Sequence, residues 1–275
     1  MNNYRTSRPA LTLLELMLVV FILSMVAFSA VSMTNTLDQQ SRFESTRDRL
    51  ESLQRAVAGR PSKSVGDTLV VEGFVADMGR LPSSLNELLV PGTQPAYEVD
   101  PVSKVGRGWR GPYLSTMPTT VGTIEFRDGW GLPWKTFEID AGSLRVQSFG
   151  SDGLADGQAG AGIGSFELDY PPPVNGVVPP LVNTFDYLVD VSNWSIEVDF
   201  LPPATGQSEA TDVRLRFYYH QGAEESGKNK IESADSAETF SVPQLMSSSL
   251  PVTQAYTINV STPVPWGVRS IAVID

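Results

Sequence analysis

Residues 11–60, LTLLELMLVVFILSMVAFSAVSMTNTLDQQSRFESTRDRLESLQRAVAGR, decide how this chain is built. Between Glu15 and Asp38 lie 22 residues without a charge, dense in Leu, Val, Met, Ile and Phe. A bilayer core takes about 20 apolar residues in a helix, so the run predicts a membrane-spanning helix over about residues 13–35. The leader before it, MNNYRTSRPA, carries only Arg5 and Arg8 as charges. Those arginines predict a cytoplasmic leader and an outward-facing remainder.

From residue 38 to 58 the composition turns polar, but the helical pattern continues. Phe43, Leu50, Leu53 and Val57 recur at spacings of seven, three and four, which puts them on one face. Asp38–Arg42 and Glu51–Arg55 are acid-before-base pairs four apart, each stabilising a helix by a few tenths of a kcal/mol. Gly59-Arg60-Pro61 supplies the stop: glycine beyond the last turn, then a proline that cannot continue it. A helix of this length reaches about 70 Å at 1.5 Å per residue. Its first half faces an apolar surrounding, and its second half lays a stripe on a folded head.

Glu15 stands out, because a carboxylate inside an apolar block costs about 2.5–3.5 kcal/mol at a helix centre in lipid, and less near an end. Thr12-Leu13-Leu14-Glu15 fits a capping box, in which Glu15 would reach back to the first amides. A second role comes from a likeness. Ala10-Leu11-Thr12-Leu13-Leu14-Glu15-Leu16 with the apolar run resembles the cleavage and methylation segment of type IV prepilins and type II secretion pseudopilins. The resemblance implies cleavage by a prepilin peptidase between Ala10 and Leu11 and N-methylation of the new terminus. It also implies that Glu15 registers subunits in a helical filament. Ala10 stands where the family usually has Gly, and Leu11 where it usually has Phe or Met.

The likeness extends over residues 79–194, toward the major pseudopilin of type II secretion. Gly79-Arg80-Leu81-Pro82 resembles a G-R-x-P segment, and Trp109-Arg110-Gly111-Pro112-Tyr113-Leu114 resembles a W-x-G-P-Y-L loop. Asp128-Gly129-Trp130-Gly131-Leu132-Pro133-Trp134 resembles D-P-W-G-x-P-Y, with Gly129 in place of proline. Ser148-Phe149-Gly150-Ser151-Asp152-Gly153 resembles S-x-G-A-D-G, and Asp190-Val191-Ser192-Asn193-Trp194 resembles D-I-x-N-W. These residues shape loops rather than perform chemistry. The resemblance implies calcium near Asp152, Asp156 and Asp190, and a Gly-rich acidic turn supplies suitable oxygens. A plain solvated acidic turn explains the same residues. Between the two acidic motifs the chain carries 36 residues, 154–189, with Pro171-Pro172-Pro173 and Pro179-Pro180, where the family has a short loop. Prolines at that density predict an irregular loop over the head.

The expected fold class is α+β: a long N-terminal transmembrane-to-periplasm helix packed on an antiparallel β-sheet head, plus a C-terminal all-β extension. The domains follow as leader 1–10, helix 11–60, head 61–194 and β-rich extension 195–275. Within the head, residues 67–77 read as a short helix. Ser84-Leu85-Asn86-Glu87 reads as a capping box opening another through Leu89, and residues 123–127, 134–139 and 143–149 read as strands. In the extension, residues 195–201, 212–219, 256–261 and 268–274 alternate as half-buried strands, a small sandwich. Residues 222–238, rich in Ser, Glu and Lys, read as a mobile loop.

Composition narrows the function. The net charge of −11 becomes −13 once a leader with two arginines is removed, and such acidity argues against nucleic acid. Cysteine is absent, so no disulfide contributes. His220 is the only histidine and no G-x-S-x-G elbow occurs, so no enzyme is expected. What the resemblance implies is a structural subunit of a type II secretion pseudopilus or type IV pilus-like filament. It would lie in the inner membrane by a single pass, its C-terminal part periplasmic, with other pilin-like subunits as partners. The rival readings are a minor pilin or adhesin-like tip subunit, favoured by the extra extension, and a membrane-anchored binding domain.

Overall fold

The computed structural model describes residues 13–60, 64–65, 68–69, 71–115, 125–155, 166, 168–225, 228–258 and 260–274. Its first element is the helix α1, Leu13–Ala58, with 46 residues. Gly59 ends it with φ 76° and an amide that donates to Arg55 O at 2.9 Å, as the Gly-Arg-Pro stop predicts. Of the two expected ion pairs, Arg42 meets Asp38 at 2.9 Å, whereas Arg55 Nε donates to the Glu51 carbonyl at 3.1 Å.

The expected fold class is corrected in two respects. No helix among the described residues is long and apolar enough to cross a membrane. Nor does α1 lie on a sheet. The head is a set of two-stranded antiparallel pieces: β1 (Ser64–Val65) with β2 (Thr68–Leu69), β3 (Glu98–Val99) with β4 (Gly106–Arg107), and β5 (Thr136–Asp140) with β6 (Ser143–Gln147). Prolines in the connections remove ladder donors, and glycines weaken strands through their conformational freedom.

What α1 does pack against is the short helix α2, Phe74–Met78, and a 3-10 turn, Leu85–Leu88. Leu50, Leu53, Ala56 and Val57 of α1 share one core with Phe74, Val75, Met78, Leu81, Leu88, Leu114 and the hairpin residues Leu144 and Val146. Of the stripe read from helical spacing, Leu50, Leu53 and Val57 are core, the last two fully buried, whereas Phe43 is half-buried outside that core. The expected helix over 67–77 is reduced to α2, because a hairpin occupies its first part. The box expected at Ser84 does not form, and Glu87 accepts instead from the Ser83 hydroxyl at 2.6 Å and from Arg80 at 2.7 Å.

The proline-rich stretch folds over α1. Tyr170 and Phe166 close on Phe43, with ring centroids at 4.8 and 5.6 Å. Tyr170 exchanges backbone bonds with Ser148, Leu144 N donates to Val182 O at 2.8 Å and Val182 N to Leu144 O at 3.2 Å, and Val182 itself is core. The chain then forms α3, Thr184–Tyr187, opened by a true capping box between Asn183 and Asp186.

Beyond it, the strands are β7 (Leu188–Val189), β8 (Ser195–Phe200), β9 (Thr211–Glu225), β10 (Lys228–Asp235), β11 (Phe240–Val242), β12 (Val252–Thr257), β13 (Val264–Pro265) and β14 (Ser270–Ile274). β9 is the spine, paired with β10, β11 and β14, all antiparallel. β8 and β12 form a second layer. Val213, Leu215 and Phe217 of β9 face Ile196, Val198 and Tyr256 across two small cores. The loop expected at 222–238 is corrected: most of it forms the ends of β9 and β10, with a register shift near Asn229. The expected strand at 256–261 lies earlier, as β12.

Candidate functional site

α1 divides at about residue 38. After it, the helix buries its stripe in the head. Before it, Leu13, Leu14, Leu16, Met17, Leu18, Val19, Val20, Phe21, Ile22 and Leu23 are all exposed, and the exposure continues through Phe28, Met33 and Leu37. Nothing else among the described residues covers this surface. Its two described serines are satisfied inside the helix: Ser24 Oγ donates to Val20 O at 2.8 Å and Ser29 Oγ to Met25 O at 3.0 Å. Around Ser24 and Ser29 the surface therefore presents apolar atoms without an unmet hydroxyl. A patch of this size marks an association site.

Glu15 sits in the first turn of α1, on that exposed segment. A carboxylate there interacts favourably with the helix N-terminus. Ala10, Leu11 and the Thr12 of the expected box lie outside the described residues, so processing is not visible in the fold.

The sequence motifs build loops. Asp128 is fully buried, accepting from Trp130 N at 3.0 Å, Leu132 N at 2.7 Å and Ser148 Oγ at 2.5 Å. That turn drives Gly129 onto α1, where its amide donates to Thr46 Oγ1 at 3.0 Å. Trp109 Nε1 donates to Glu87 O at 2.8 Å, and Trp134 Nε1 to Phe126 O at 2.9 Å. Tyr113 Oη donates to Asp77 at 3.0 Å, beside the Arg110 guanidinium at 2.9 Å from the same carboxylate. Burial outweighs that guanidinium and raises Asp77 to about 6.

The expected calcium ligands are placed separately. Asp152 Oδ1 accepts from Leu154 N at 2.9 Å, while its other carboxylate oxygen is buried without a hydrogen-bond partner. Asp190 is exposed and accepts from Ser192 N at 2.9 Å, which lowers its pKa. No described contact joins the two, and Asp156 lies outside the described residues. Among the described residues no group of three His, Asp or Glu converges as a metal site. The orphaned oxygen of Asp152 is the one feature in keeping with a cation there.

One junction was illegible in the sequence. His220 of β9 is completely buried, with Nε2 at 2.9 Å from Ala76 O of α2. Burial lowers its pKa to about 4, helped by Arg269 nearby. Gly79 makes the approach possible, since a Cβ there would stand 2.3 Å from His220 Nδ1 and 2.6 Å from Gly222 N. Only the isolation of one histidine and the G-R-L-P glycine hinted at it.

No family model, no curated protein and no solved structure matches this chain.

Proposed function

We propose that this chain is a structural subunit of a filament of the type II secretion pseudopilus or type IV pilus kind, processed by a prepilin peptidase and assembled through α1. The observation that carries the reading is the division of one 46-residue helix into a head-bound half and an uncovered apolar half. At about 25 cal/mol per Å² of apolar surface buried, such a face gains most by packing against the same face of other copies. A helical bundle of such halves, with heads outward and outside the cytoplasm, satisfies both parts. Glu15 then lies among apolar neighbours, where it is stable only if a fixed cationic or amide partner meets it, and that requirement sets the axial register. No catalytic or nucleic-acid role enters this reading.

A second reading, a rarer subunit at a filament tip, is favoured by the sandwich beyond residue 194, whose bulk crowds neighbours in a continuous array. Co-expression with a prepilin peptidase tests the first reading. The expected product begins at Leu11 and is N-methylated, by intact mass and terminal sequencing. A product cut elsewhere, or an uncut chain, would overturn it. The stoichiometry of the chain in purified filaments separates an abundant subunit from a tip subunit.

A further inference from the structure

The head and the sandwich hold separate cores. Every residue of the head core lies between Leu50 and Leu188, and every residue of the two sandwich cores between Val189 and Val264. What joins the two lobes is a seam of backbone and polar contacts. Trp266 N donates to Tyr187 O at 2.6 Å beside the β7–β13 ladder, Ser270 Oγ donates to Ser103 O, and His220 Nε2 meets Ala76 O at 2.9 Å. Backbones touch across it: a Cβ on Gly267 would stand 2.7 Å from Ala76 O, and one on Gly222 2.9 Å from Gly79 C. Glycine brings no apolar side chain to such a contact, so the seam gains little from burial.

The seam also carries three unmet polar atoms. His220 Nδ1, Trp266 Nε1 and Arg269 Nη2 are each buried without a hydrogen-bond partner. Such groups cost free energy while dry and regain partners once water reaches them. None of the three residues belongs to a core, so they weigh against docking and not against either lobe.

His220 is the titratable group of this seam. A carbonyl only accepts, so Nε2 carries the hydrogen and Nδ1 is bare. The charged groups that face it are Arg269 and Arg107, both cations. Arg107 is engaged by Glu98 at 3.0 Å and Asp100 at 3.6 Å. Arg269 has no carboxylate partner among the described residues, and its Nη1 donates to Val268 O at 2.6 Å. Arg80, beyond Gly222, is held by Glu87 at 2.7 Å, and Asp77, next to Ala76, turns to Arg110 and Tyr113. The Tyr219 phenol lies near Arg269, Glu232 and Lys230. A proton on His220 therefore adds a third positive charge with no free acid to meet it.

We propose that the sandwich is a detachable lobe, which swings off α2 as an intact unit when His220 takes a proton, with the β7–β13 ladder as its pivot. Open, the imidazolium is hydrated; docked, it is held dry beside two guanidiniums. The docked pKa of about 4, against an ordinary 6.5, means that the open form binds protons first, so acid pulls toward it below about 6.5. Between pH 7.5 and 4 that pull is on the order of 100-fold, enough to open a junction that its unmet groups keep shallow. The motion needs only this chain and is independent of filament assembly.

The chain has no cysteine, so two introduced thiols carry spin labels without background. Val102→Cys in the head and Leu250→Cys in the sandwich replace exposed side chains. The distance between labels is measured in the full chain in detergent at pH 7.5 and 4, with hydrogen exchange of β9 and β12 followed in the same buffers. The expected result is one narrow distance at pH 7.5. At pH 4 the share of long, broad distances rises about tenfold or more, while β9 and β12 keep their protection. His220→Gln keeps a donor for Ala76 O and takes no charge, so it stays narrow at both. Arg269→Met removes a facing cation and moves the opening to lower pH. A distance indifferent to pH, an equal opening in His220→Gln, or loss of β9 and β12 protection together with docking would each overturn the proposal. If His220→Gln does not fold, Arg269→Met decides, and an unmoved opening there overturns it as well.

Discussion

The amide of Gly129 points at the hydroxyl of Thr46 across 3.0 Å, and that one bond fixes the Asp-Gly-Trp-Gly turn to the long helix. The approach is so close that a Cβ on Gly129 would stand 2.1 Å from Arg42 O, a backbone atom with no room to yield. Gly129→Ala is expected to destabilise the head by about 1–3 kcal/mol, the range for overpacking. Thr46→Val keeps the shape but strands a part-buried amide, at about 1–3 kcal/mol. Chemical denaturation of each variant measures both, and because one contact is shared the double variant should lose less than the sum.

His220 and Asp77 pull stability in opposite directions over the same acid range. The folded pKa of His220 is lowered to about 4 from an ordinary 6.5. The unfolded chain therefore takes up a proton first, and this contribution is complete above about 6.5 and lost as pH falls toward 4. Asp77 is raised to about 6 from 3.8, so the folded chain keeps a proton the unfolded one has released. Its contribution is complete below about 3.8 and lost as pH rises through 6. Between pH 4 and 6 the two contributions oppose each other, so relative to the unaltered protein the melting profile of Asp77→Asn should tilt upward with pH and that of His220→Gln downward. Parallel profiles in the two variants would contradict this assignment.

Glu15 offers two outcomes that differ in kind. If it sets subunit register, Glu15→Ala leaves cleavage after Ala10 intact and blocks filament growth. If it only caps α1, the loss is about 1 kcal/mol of helix stability and filaments form normally. Electron microscopy of shear fractions, beside terminal sequencing of the cleaved chain, separates the two.

The placement of Asp152 bears on calcium. Its buried unpartnered oxygen predicts a rise in melting temperature of a few degrees with millimolar calcium over chelator, lost in Asp152→Asn. Whether Asp190→Asn also removes the rise decides whether the exposed Asp190 joins the site. Identical curves with and without calcium would mean the acidic turn is merely solvated.

The extent to which the sequence foretold the fold follows from how local each signal is. The stop at Gly59 and the core stripe at Leu50, Leu53 and Val57 needed only helical spacing and one glycine, and both stand. Strands β8 and β14 were legible by alternation. The lysines and acids of residues 222–238 resembled a loop because their composition is that of a solvated segment, whereas the pairing of β9 with β10 is set by backbone bonds that composition does not record. The capping box at Asn183 was hidden among prolines, while the one expected at Ser84 lost its glutamate to Arg80 and Ser83. The expected sheet beneath α1 failed because short strands parted by Gly and Pro cannot propagate. The His220–Ala76 contact spans 144 residues, and no local pattern encodes it.

The lacing of the last strands into the head also sets an order in time. Val264 and Pro265 complete the ladder at Leu188 and Val189, His220 reaches back to Ala76, and Ser270 bonds to Ser103 across 167 residues. A chain made from its N-terminus forms α1 at once from near neighbours, and α2 can pack on it early, but the carbonyl of Ala76 waits for His220, 144 residues later. Until then that carbonyl stays bare beside an already sticky helix. The interval between the emergence of residue 60 and that of residue 274 is therefore when the chain is most prone to wrong partners, and any factor that shields α1 must act within it.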